Sequence, residues 1–242
     1  MTLLTLLTLG VVAKTIEVDY KVEFGIIGEI GIANAKLIQN ENNNTYEIDI
    51  QLKATGIAKT LSGGREERHI SKGYIKDGVM ISELYQVIKR HGSKVSNKIY
   101  RIDHDKKEVT REKKRWKKGK LVKDETKVME KAYAKDDLLT LYFNLEQYID
   151  NKTVSKKYRF HAVGAEIQDG YVDVYIPKES ELDDYKKMLG KNASWYAKAI
   201  IYQKIFSSKK GELMLGIGDN GVVQKALLKD VIFFGDIRAK KI

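Results

Sequence analysis

The stretch Ile16-Glu17-Val18-Asp19-Tyr20-Lys21-Val22-Glu23-Phe24 alternates apolar and charged side chains without a break. In a strand, successive side chains point to opposite faces, so a period of two places Ile16, Val18, Tyr20, Val22 and Phe24 against a core and the charges in water. Glycines at 25, 28 and 31 then bend the chain into a second strand with the small face Ala33, Ala35 and Leu37, followed by the turn-prone Asn40-Glu41-Asn42-Asn43-Asn44. A third strand starts at once, with Tyr46, Ile48, Ile50, Leu52 and Ala54 alternating with polar neighbours. Antiparallel pairing with one wet face follows from this pattern.

The alternation recurs down the chain. Segments 72–76 and 79–88 flank Asp77-Gly78, a strong hairpin signal. Further strands read at 94–102, 107–116, 121–130, 153–163, 171–176, 195–206, 211–217 and 222–240. Two segments break the period. Over 136–150, Leu138, Leu141, Tyr142, Leu145, Tyr148 and Ile149 share one helical face, and Asp136 and Asp137 suit the N-terminal cap and dipole. A shorter helix at 179–189 carries Leu182, Tyr185, Met188 and Leu189, with Ser180 near its start and Gly190 as its C-cap. The expected fold is mainly β: a strongly curved antiparallel sheet, half-barrel or barrel-like, with one amphipathic helix packed on it and a second short helix.

The 242 residues are 43% hydrophobic and 32% charged, enough apolar surface for a sizeable core and too much for a disordered chain. The uncharged, Leu-rich start MTLLTLLTLGVVA ends in Val11-Val12-Ala13. It reads as the apolar core and small-residue cleavage site of a signal peptide, making 1–13 a leader remnant and 14–242 a single β-rich domain that begins at Lys14. Zero cysteines fit an exported protein without disulfides and remove the acylated Cys of a lipoprotein, so the expected location is periplasmic. With 44 Lys and Arg against 33 Asp and Glu, the net charge is +11. Such a surface attracts polyanions, and export turns the expectation from nucleic acid towards anionic lipid.

No catalytic constellation emerges. Gly216-Ile217-Gly218-Asp219-Asn220-Gly221 matches GxGxxG, but the helix, strand and acidic residue of a dinucleotide site have no room after it, so it reads as a hairpin turn. His69, His91, His104 and His161 lack metal-ligand spacing, and Asp103-His104-Asp105 reads as a turn whose neighbours diverge. No GxSxG occurs. The chain is therefore expected to be no enzyme and to need neither cofactor nor metal. The most biased stretch, 106–131, holds 12 Lys and Arg against 5 Asp and Glu. Its middle, Lys113, Lys114, Arg115, Trp116, Lys117 and Lys118, is expected at a hairpin tip, where an aromatic among cations suits an anionic membrane surface. The same residues also suit a solvated edge that discourages strand pairing. Asn43, in Glu41-Asn42-Asn43-Asn44-Thr45, fits the acidic-extended glycosylation acceptor of some bacteria, whereas Asn151 and Asn192 head the bare form.

Several strings carry a family likeness: Tyr20-Lys21-Val22-Glu23-Phe24-Gly25 running into Gly28-Glu29-Ile30-Gly31, Ser71-Lys72-Gly73-Tyr74, Asp137-Leu138-Leu139-Thr140-Leu141-Tyr142, and Asp230-Val231-Ile232-Phe233-Phe234-Gly235-Asp236. Together they resemble an exported bacterial family, number thirty-one-oh-eight of the domains of unknown function. The resemblance implies an envelope location and no catalytic residue. The architecture also looks like that of the periplasmic lipoprotein carriers LolA and LolB. A sheet with one continuous apolar face and few helices to cover it is expected to hold an acyl chain in its concave face, partly covered by the 136–150 helix, as a binding or carrier protein for an apolar or lipid-like ligand such as a lipoprotein acyl chain. A packed interior would instead favour a structural or adaptor protein of the envelope, and a cleft with convergent ionisable groups a hydrolase.

Overall fold

The computed structural model describes residues 13–25, 27–129, 132–165, 168–200, 211–231 and 235–242. The leader and its cleavage site lie outside the described residues up to position 12, while Ala13 and Lys14 open β1 (Ala13–Phe24) and pair with Asn40 and Gln39 of β2 (Gly28–Asn40). The meander continues through β3 (Thr45–Ala54), β4 (Glu66–Lys76), β5 (Val79–His91), β6 (Lys94–Asp103), β7 (Glu108–Lys117) and β8 (Lys120–Val128). The two-residue β9 (Asp136–Asp137) runs parallel to β10 (Lys157–Val163), from which a second meander continues through β11 (Tyr171–Tyr175), β12 (Trp195–Ile200), β13 (Glu212–Ile217), β14 (Val223–Val231) and β15 (Gly235–Lys241). An antiparallel β1–β15 ladder, from Tyr20 opposite Lys241 to Phe24 opposite Ile237, joins the two into one sheet of 15 strands. The order runs from β8 to β1 and then from β15 back to β9, with no ladder joining β8 to β9 among the described residues. The mainly β fold, one curved open antiparallel sheet with few helices, is as the alternation implies.

The segment read as one strand at 222–240 is two strands, β14 and β15, paired with each other from Lys225 opposite Lys240 onward. Parts of the segments read at 121–130 and 195–206 lie outside the described residues. A short helix, α1 (Gly56–Leu61), has no counterpart in the sequence pattern; it buries none of its residues and leaves Ile57 and Leu61 exposed. Its six residues are too few for a helical apolar period to register.

The sheet forks at β5. A bulge sets Lys72 opposite Leu84 and Gly73 opposite Ser82, so Glu83 is extra. Beyond it, β6 pairs with β5 from Leu84 to His91. Before it, the Ser82 amide donates instead to the Lys135 carbonyl at 2.9 Å. Strands β6 to β8 thus flare away as a wing, while the crossing chain that ends in β9 closes on β5.

Helix α2 (Leu138–Tyr148) lies in the concavity. Leu141 and Leu145, followed by Ile149, pack against Val172, Val174, Trp195, Ala197, Leu215 and Ile217. Its other side is buried too: Leu139 and Phe143 meet Leu37, Tyr46, Ile48 and Met80, and Thr140 and Asn144 are fully enclosed. The helix is therefore wrapped rather than resting on one stripe, with its side chains packed into the concave face. Helix α3 (Leu182–Leu189) covers the opposite face, with Tyr185 and Leu189 on Tyr196, Met214 and Leu227. On their strands Tyr196 and Met214 alternate with Ala197 and Leu215, which face α2, so the two helices sandwich this half of the sheet.

Candidate functional site

The entry to α2 is a buried polar knot. Asp137 is its N-cap: one carboxylate oxygen accepts from the amides of Leu139 at 2.7 Å and Thr140 at 3.1 Å. The other accepts from the hydroxyls of Ser71 at 2.5 Å, Ser82 at 2.6 Å and Thr140 at 3.0 Å. Tyr46 adds its hydroxyl, 2.7 Å from that of Thr140. Complete burial pushes the Asp137 carboxyl up from its ordinary value, and the hydroxyls of Ser71 and Ser82 and the amides of Thr140 and Leu139 pull against that. Both serines and the threonine are buried, so no hydroxyl here is presented to a substrate.

Asp136 points the other way, accepting from Asn144 Nδ2 at 2.8 Å and the Tyr148 hydroxyl at 3.0 Å. Asn144 in turn ties α2 to β5, accepting from the Met80 amide at 3.1 Å and donating to the Met80 carbonyl at 2.8 Å. Burial raises the Asp136 carboxyl from 3.8 to about 6, with Asn144 and Tyr148 opposing. A carboxyl that binds its proton more tightly when folded favours folding at acid pH, and that advantage is lost as pH rises from about 4 to about 6. Asp136→Asn keeps an acceptor without the buried charge. It is expected to raise stability at pH 7.5 by about 3 kcal/mol, since a carboxyl displaced from 3.8 to about 6 costs about 1.4 kcal/mol for each pH unit of that displacement, and to change nothing below about pH 4. Urea unfolding of both proteins across this range checks it; a gain independent of pH would remove the titration argument.

Above this knot, at the seam between β5 and the crossing chain, is an open cleft of about 480 Å³. Tyr74, Val79 and Ile81 of the β4–β5 hairpin form one wall, and Tyr133, Tyr148 and His104 the other, with the exposed Lys76, Asp77 and Lys135 also lining it. His104 lies edge-on to Tyr74 and Tyr133, with ring centroids 6.1 and 5.8 Å apart. Its Nε2–H donates to the Ser82 carbonyl at 2.8 Å, and Nδ1 accepts from the Tyr133 hydroxyl at 3.1 Å. With both ring nitrogens engaged, His104 pins the fork and has no lone pair left for a base. Residues 104–107 form the turn read from Asp103-His104-Asp105, with the His104 ring half-buried at its start. Among the described residues no three His, Asp or Glu side chains converge on a metal position. The cleft could not be found in the sequence, because its walls come from four separate segments.

The six residues expected together at a hairpin tip are divided by strand alternation. Lys113, Arg115 and Lys117 of β7 face the inner side of the wing, in the parity of Tyr100 and Val109, while Lys114 and Trp116 face outward, Trp116 opposite Val95 and Leu121. Lys118 and Gly119 form the turn, both with positive φ. Across the ladders Lys113 lies between Lys98 of β6 and Glu125 of β8, and Arg115 between Ser96 and Lys123. Only the register reveals this. Asn43 sits exposed in the β2–β3 turn, where its Oδ1 accepts from the Thr45 amide at 3.2 Å and hydroxyl at 2.6 Å. The GxGxxG run is a hairpin turn between β13 and β14, with the Gly221 amide donating to the Gly218 carbonyl.

No family model matches the chain, and no curated protein does. The family likeness read from the sequence strings thus has no family match behind it. Among solved structures the chain is similar to the crystal structure of a β-barrel-like protein of domain of unknown function DUF1849 from Brucella abortus. The two share 9% identity over 96% of each chain, with a TM-score of 0.48.

Proposed function

We propose that the chain is a non-catalytic binding or carrier protein of the bacterial periplasm for an apolar or lipid-like ligand, in the manner of the lipoprotein carriers, and that the ligand sits in the seam cleft. The observation that carries this reading is the cleft itself, a concavity of about 480 Å³ walled by aromatic and aliphatic side chains beside two exposed lysines. A mostly apolar concavity with a few polar groups is the usual form of a small-molecule site. The side chains of α2 pack into the concave face on both sides, and the ligand is assigned to the open seam beside it. Against catalysis, the serine and threonine hydroxyls around Asp137 are buried and both ring nitrogens of His104 are engaged.

Native mass spectrometry of the full chain purified from its own envelope tests this, with uptake of a fluorescent fatty acid as a second readout. A co-purifying lipid mass is expected, along with a loss of fatty-acid affinity of about tenfold in Ile81→Arg, which puts a charge into the apolar wall. An unliganded mass together with no uptake of the fatty acid would leave an envelope structural protein as the reading.

A further inference from the structure

The inner face of the wing changes character along its length. Near the fork it is apolar, with Tyr85, Tyr100 and Val109 covered by the crossing chain at Ala134. Towards the tip the covering ends, and Lys98, Arg111, Lys113, Arg115 and Lys123 share the face. Two carboxylates enter this region. Glu125 is held by Arg111 at 2.7 Å and Lys123 at 2.5 Å, and Glu67 by Arg65 at 2.6 Å and Lys89 at 2.8 Å. Glu125 lies opposite Lys113 in the β7–β8 ladder but is turned to Arg111 and Lys123; among the described residues no carboxylate oxygen comes within 4.0 Å of the Lys98, Lys113 or Arg115 nitrogens, and Arg111 Nε is buried without a hydrogen-bond partner.

Like charges directly opposite on neighbouring strands oppose folding, so setting Lys98 against Lys113 is an arrangement that stability alone would not select. The Lys113 ammonium is held below its usual value by partial burial and then by the charges of Arg115, Lys123, Lys98 and Arg111, in keeping with the shared face that the register gives them. An excess of positive charge and donors shared by one face of three adjacent strands is the complement of a multiply charged oxyanion.

We propose that the inner face of β6 to β8 binds a phosphorylated anion bearing closely spaced phosphates, bridged by Lys98, Lys113 and Arg115, whether a lipid headgroup or a soluble polyphosphate. The site is separate from the seam cleft and does not depend on the ligand there.

The test compares two variants of equal charge in the full chain at low ionic strength: Lys98→Gln/Lys113→Gln/Arg115→Gln on the inner face and Lys53→Gln/Arg90→Gln/Lys114→Gln on the outer. Calorimetry with inorganic tripolyphosphate and sedimentation with phosphatidic acid in phosphatidylcholine vesicles are the two probes. Wild-type protein is expected to bind at least one of them, with affinity reduced about tenfold by the inner variant and less than about twofold by the outer. Tripolyphosphate binding indicates a soluble source, and vesicle binding alone a headgroup. The inner variant should melt no lower than wild type, because it relieves repulsion, so lost binding will not reflect lost folding. Equal losses in both variants would reduce the effect to net charge and overturn the proposal. So would absence of binding to either probe, or tighter binding of single-stranded DNA with the same dependence on the inner residues.

Discussion

Asp137→Ala is expected to lower the stability of the fold by about 4 kcal/mol, because it removes the one group on which five donors converge. Loss of the cap alone would cost about 1 kcal/mol. The remainder comes from hydroxyls that stay buried. Those of Ser71 and Thr140 can still bond each other, 2.9 Å apart, and Thr140 retains Tyr46, but the Ser82 hydroxyl loses its 2.6 Å acceptor and keeps only the Tyr46 hydroxyl nearby. Asp137→Asn restores an acceptor oxygen and brings an NH2 group among donors, so it should recover only part of the loss. Urea midpoints of the three proteins at pH 7.5 measure this. A cost below about 1 kcal/mol for the Ala variant would mean that the knot does not hold α2 to the sheet.

Gly73→Ala should do more harm still, since a Cβ at position 73 would lie 1.9 Å from the Ile81 carbonyl oxygen and 2.9 Å from its carbon. Both are backbone atoms within the β4–β5 ladder, so no side chain can rotate away and the bulge itself must open. A loss beyond about 4 kcal/mol, seen as insoluble or non-cooperative protein, is expected. Gly92→Ala is the control. Its added Cβ meets nothing within 4 Å, and its φ of +54° costs only about 1 kcal/mol. Comparable solubility and melting of the two variants would show that the close approach at the fork is not needed.

These two positions also mark where sequence reading succeeds and where it stops. Ile16 to Phe24 and Tyr46 to Ala54 announce their strands because each has one wet face, and the helix after Asp137 shows its apolar spacing and its cap. The sequence does not show that Thr140 and Asn144 are as buried as Leu141, because a polar residue in a helix pattern reads as solvent-facing. Gly73 gives no sign of a bulge, since its φ is unremarkable and the constraint comes from Ile81 across the ladder. The basic stretch is legible as charge but not as a surface. Alternation sends half of it to each side, and Lys98, from the preceding strand, becomes visible only once β6 and β7 are in register.

The β1–β15 ladder joins segments from opposite ends of the described sequence, while each meander on either side pairs almost wholly with its sequence neighbours. Closing a short hairpin loop is entropically cheap, and bringing two distant segments together is the slower event. Assembly is therefore expected to be hierarchical: two locally formed half-sheets, then late docking at the β1–β15 border and where α2 meets β4 and β5. Until that step, β1 and β15 each present an unpaired edge to other chains, so the period of greatest danger from aggregation falls just before the halves meet.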